Sequence, residues 1–90
     1  MSEPLTKEQI VERGRRAQAL LDNELLRESV EKLKAYYLEQ WAKSEAGDVT
    51  GRERLFVAYG LVDQVYAHLR VLVADGSISA QQLARLKRQQ

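Results

Sequence analysis

Leu55-Phe56-Val57-Ala58-Tyr59-Gly60-Leu61-Val62-Asp63-Gln64-Val65-Tyr66-Ala67-His68-Leu69-Arg70-Val71-Leu72-Val73 decides the fold class. Within it Leu55, Ala58, Val62, Val65, Leu69 and Leu72 recur at alternating spacings of three and four, and Tyr59, Tyr66 and Val73 widen the stripe. That period belongs to a helix that buries a broad face against another helix. Strand alternation is absent, so the expected class is all-α.

Working toward the N-terminus, a second apolar arc gathers Leu25, Leu26, Val30, Leu33, Tyr36, Tyr37 and Trp41. Arg27, Glu28, Glu31 and Glu39 fall on the opposite side, and Glu28 with Lys32 and Glu39 with Lys43 stand four apart in the favourable order. These charges read as a solvated surface. Asp22 or Asn23 caps this helix at its start, and Gly47 ends it. Ahead of it, Thr6 and Gln9 form a capping box, with Leu5 and Ile10 spaced for a hydrophobic staple. The first helix carries Ile10, Val11, Ala17, Leu20 and Leu21, and Gly14 in that row reads as a packing contact with a close neighbour.

Toward the C-terminus, Thr50 with Glu53 and Ser79 with Gln82 repeat the capping-box pattern, and Gly76 reads as a left-handed helix stop. The spacing therefore predicts helices over 7–21, 24–46, 51–74 and 80–88 in a single domain, 1–90. The expected architecture is a long antiparallel helical hairpin with an N-terminal helix and a short C-terminal helix added.

Composition narrows the function classes. The chain has no Cys, which removes disulfides, thiolate metal sites and thiol catalysis. Fourteen Lys and Arg against thirteen Asp and Glu give a net charge of +1, so the total does not imply nucleic acid as a partner. No apolar signal core follows Met1-Ser2-Glu3-Pro4 and no run suits a membrane span, which predicts a chain made in the cytoplasm.

The residues offer little convergent chemistry. His68 is the single His and has no acidic or His partner on its face. Asp63, flanked by Phe56, Gly60 and Ala67 on the wheel, reads as a capping or salt-bridge residue. Around Asp75-Gly76-Ser77-Ile78, Val71 and Val73 occupy the first two ligand positions of a calcium loop, and Gln82 stands where Glu closes one. No catalytic, cofactor or metal residue is expected, and the chain reads as a non-enzyme.

Surface contact remains. Leu38, Phe56, Val57 and Val71 fall outside the main arcs, and Gly60 with Ala67 beside Phe56 leaves room for a further helix. Leu38, Phe56, Val57, Gly60 and Val71 are the expected protein interface, for self-association or another protein. Arg13, Arg15, Arg16, Arg85, Lys87 and Arg88 are the nucleic-acid alternative, diluted by neighbouring acidic residues.

Arg16-Ala17-Gln18-Ala19-Leu20-Leu21-Asp22-Asn23, Tyr37-Leu38-Glu39-Gln40-Trp41, Gly51-Arg52-Glu53-Arg54-Leu55 and His68-Leu69-Arg70 before Gly76 carry a resemblance. Over about residues 16–76 the chain resembles small helical proteins from the head-morphogenesis regions of tailed bacteriophages. The resemblance implies an oligomeric assembly component, repeated around a ring and incorporated into a virion. It carries over no catalytic residue. A DNA-packaging accessory and an inhibitor of a host protein are the alternatives.

Overall fold

The computed structural model describes residues 3–89, so the expected 1–90 span runs slightly past it at both ends. Among the described residues there are three helices and no strand. They are α1 (Lys7–Leu21), α2 (Glu24–Lys43) and α3 (Val49–Arg88). No helix among the described residues is long and apolar enough to cross a membrane.

The first two helix starts follow local chemistry. Gln9 N donates to Thr6 Oγ1 at 3.1 Å and Thr6 N to Gln9 Oε1 at 2.8 Å, which closes the capping box. Asn23, in extended backbone, accepts from Leu26 N at 2.8 Å and caps α2. Asp22 ends α1 with helical backbone angles.

Later boundaries depart from the expected ones. α2 stops at Lys43 rather than 46, because Ser44 turns to extended backbone and donates through Oγ to the Trp41 carbonyl at 2.6 Å. α3 starts at Val49 rather than Gly51, and Asp48, not Thr50, supplies the cap: its Oδ1 accepts from Gly51 N at 3.0 Å. Asp outranks Thr as a cap, and Asp48 reaches a free amide two residues earlier in the chain.

The largest correction concerns Gly76. α3 runs through it without a break, no described glycine has positive φ, and the separate helices 51–74 and 80–88 are one. Gly76 and Ser79 are buried, so Ser79 is a packed helical residue and not a cap. The cause lies across the interface with α1. A Cβ built on Gly76 would stand 3.0 Å from Gly14 Cα, and one on Gly14 would stand 3.0 Å from both Gly76 Cα and the Leu72 carbonyl. The glycine serves close backbone approach rather than a turn.

Contacts divide the expected single domain into two compact units. One comprises α1 and α3 from Ala67 onward. Its buried residues are small: Gly14, Ala17, Gly76 and Ser79. The second spans Asn23–Tyr66 and has no fully buried residue, although Val30, Tyr37, Leu55, Val62 and Tyr66 are half-buried. Tyr36 and Trp41, placed on the apolar arc of the second helix, are 54% and 44% exposed. Val65 leaves the apolar stripe at 63% exposure: it lies about 100° around the helix from Tyr66, and one neighbouring helix covers only part of the circumference.

Candidate interaction surface

In the Asn23–Tyr66 unit, α2 and α3 are joined by polar contacts that frame an apolar groove. Arg52 Nε donates to Ser44 Oγ at 2.8 Å, and its guanidinium lies 4.2 Å from the Trp41 ring centroid. That cation–π contact contributes about 0.5–1 kcal/mol at an exposed site and fixes the indole. Lys34 Nζ donates to Asp63 Oδ1 at 2.6 Å and sits 4.9 Å from the Tyr59 centroid. The hydrogen bond that Lys34 donates to Asp63 is the leading cause that holds its ammonium above its ordinary pKa.

Between these anchors, Tyr37, Leu38, Trp41, Leu55, Phe56 and Tyr59 line an open groove of about 330 Å³. The fold thus brings Leu38 and Phe56 together on one surface. Phe56 is 75% exposed, and Leu38 is 55% exposed. Val57 borders a separate depression with Thr50, Glu53, Arg54, Ala58 and Leu61. Gly60 has no internal partner: a Cβ there would meet nothing within 4 Å. A helical Gly costs about 1 kcal/mol relative to Ala, and nothing inside the chain offsets that at Gly60.

The Ala67-onward part of α3 carries Val71, 53% exposed, and His68, also exposed. Arg13, His68, Asp75 and Ser79 edge a recess of about 680 Å³ whose apolar wall includes Leu5, Ile10 and Leu72. Arg15 and Arg16 both face Glu12, at 3.9 and 3.4 Å. Arg85, Lys87 and Arg88 occupy the last turn of α3, where cations favour the helix dipole. Among the described residues no group of three His, Asp or Glu side chains is arranged to hold a metal ion.

Sequence reasoning passed over Leu61 and Val65 as outer-surface residues, although they are 54% and 63% exposed. Their spacing marked them as apolar. Only the position of the covering helix shows which apolar residues it leaves bare.

Fifteen large hydrophobic side chains among the described residues are at least 41% exposed. No large side chain among the described residues is fully buried, and Ala17 is the one buried apolar residue. No family model, curated protein or solved structure matches the chain.

Proposed function

We propose that this protein is a non-enzymatic helical assembly component that docks apolar helix faces onto a protein partner. The apolar groove carries the reading: Leu38 and Phe56, 55% and 75% exposed, line it together with Tyr37, Trp41, Leu55 and Tyr59. Leu38, Phe56, Val57, Gly60 and Val71 supply the apolar contact, and charged residues around them set register. The platform is an antiparallel hairpin of α2 with the first part of α3. Supporting this, Trp41 meets Arg52 while Lys34, earlier in α2, meets Asp63, later in α3.

Bacteriophage head morphogenesis is the proposed setting, with incorporation into the virion. Its support is the sequence resemblance over about residues 16–76. Sedimentation of the purified chain at tens of micromolar, together with recovery of partners from its source, tests the function. Self-association or a specific protein partner is the expected result. A chain that sediments only as a monomer and recovers no protein overturns the reading.

A further inference from the structure

The recess edged by Arg13 and His68 carries opposite charges that do not meet. All of its lining residues belong to the unit that holds α1 and α3 from Ala67 onward. Arg13 of α1 and Asp75 of α3 both edge it, and neither side chain makes an ion pair or hydrogen bond with a described residue. Elsewhere the chain closes such pairs: Arg16 reaches Glu12 at 3.4 Å, and Lys34 reaches Asp63 at 2.6 Å. In the recess the guanidinium fork and the carboxylate oxygens keep their hydrogen-bonding capacity for something else.

The backbone holds these two charges in place. Gly14 follows Arg13 and Gly76 follows Asp75, and the two glycines touch main chain to main chain. Consecutive Cα atoms are about 3.8 Å apart, so the glycine contact fixes how far the charged residues stand from each other. Leu5, Ile10, Leu72 and Ile78 make the surrounding walls apolar. Ser79, 6% exposed and the one buried polar residue among those described, adds a hydroxyl, and His68 adds an imidazole. His68, Leu72, Asp75 and Ser79 recur at spacings of four, three and four, which puts them on one face of α3. Apolar walls with a few converging polar groups are the ordinary makeup of a small-molecule site, and about 680 Å³ lies within the usual range of about 300–1,000 Å³.

We propose that this recess binds a short apolar peptide with both termini free. The peptide's carboxylate takes the Arg13 guanidinium, its ammonium takes Asp75, and its aliphatic side chains cover Ile10 and Leu72. Charge selects this class. An anion gains at Arg13 and loses at Asp75, a cation does the reverse, and a zwitterion gains at both. Size selects a peptide over one amino acid, which would leave most of the recess to water. A dipeptide sets its charges roughly 7 Å apart, so it bridges two groups that are held close without touching. Occupancy of this recess is independent of the assembly function proposed for the Leu38–Phe56 groove.

The test titrates the isotope-labelled, full-length protein with leucyl-leucine, its N-acetyl form and its C-terminal amide. The His68 imidazole signals and the amides of Leu72 and Ser79 report binding by NMR. Saturable shifts with leucyl-leucine are expected, and each blocked form should bind at least about tenfold more weakly, as the loss of a charged hydrogen bond implies. Acetylation should no longer matter in Asp75→Asn, and amidation should no longer matter in Arg13→Gln, because each variant lacks the partner of the blocked terminus. Both positions are exposed, and circular dichroism verifies that the variants fold. Arg16→Gln, which removes a contact with Glu12 outside the recess, should bind as the parent does. No saturable shift at millimolar leucyl-leucine overturns the proposal. Equal binding of the three peptides overturns it too, since that signifies apolar adsorption alone. A penalty for acetylation that persists in Asp75→Asn removes the assigned ammonium contact and overturns it as well.

Discussion

Gly14 of α1 and Gly76 of α3 meet backbone to backbone, so that a Cβ on either would stand 3.0 Å from the other's Cα. The obstructing atoms are main chain and cannot rotate aside. Gly14→Val is therefore expected to push the helices apart and destabilise the protein by about 2 kcal/mol through overpacking. Gly60→Ala, at a position with nothing within 4 Å, is expected to stabilise the isolated chain by about 1 kcal/mol through helix propensity. Thermal or urea unfolding followed by circular dichroism checks the opposite signs. Equal effects at the two glycines would refute the backbone contact.

Asp48, and not Thr50, holds the first turn of α3. Asp48→Ala should cost about 1 kcal/mol as an orphan amide loses its acceptor. Thr50→Ala should lie within about 0.5 kcal/mol of the parent, as most surface changes do. Urea midpoints of the two variants give the comparison.

Lys34 has its pKa raised above the ordinary 10.5 by the Asp63 hydrogen bond, against a smaller opposing effect of desolvation. A raised cationic group contributes stability that is fully present below its unfolded pKa. That contribution is lost as pH climbs from about 10.5 through the folded value. Lys34→Met should remove this alkaline component. The check is unfolding of parent and variant across that window, where the parent's advantage should shrink with rising pH.

Glu39 is displaced in the opposite sense, below its ordinary 4.5, chiefly by its hydrogen bond with Lys43. Its contribution is present above 4.5 and falls away as acid titrates the carboxylate through its lower folded value. Glu39→Gln should leave stability near neutrality close to that of the parent, given the exposure of the pair at 2.7 Å. Carboxyl NMR titration of the parent and of Lys43→Met should show the Glu39 midpoint moving upward in the variant.

Phe56→Glu places a charge on the most exposed aromatic residue of the groove. The substitution is expected to weaken assembly by at least tenfold, while helicity stays near the parent value because little internal packing is lost. Sedimentation and far-ultraviolet circular dichroism read the two quantities. An unchanged association constant would exclude this surface.

How much was legible locally is shown by particular residues. Thr6 with Gln9 and Asn23 with Leu26 mark helix starts that the structure keeps, because a cap and its amide lie within one turn. Gly14 was readable as a packing glycine from its place in an apolar row. Gly76 was not, since Asp75-Gly76-Ser77 has the local chemistry of a helix stop. The exposed positions of Leu38, Phe56, Val57 and Val71 followed from the helical period, whereas Val65 was misread because periodicity locates a face without locating what covers it.

The sequence by itself determined that the chain is helical, where its first two helices begin, and that apolar residues would outnumber the places available inside. Tertiary contact decided that α3 continues through Gly76, that small residues form the buried contact with α1, and that the chain divides into two units. Capping and periodicity act among residues within a turn or two of each other and are written in their order. Whether a glycine ends a helix or admits a neighbouring one depends on a backbone more than sixty residues distant, which no local pattern encodes.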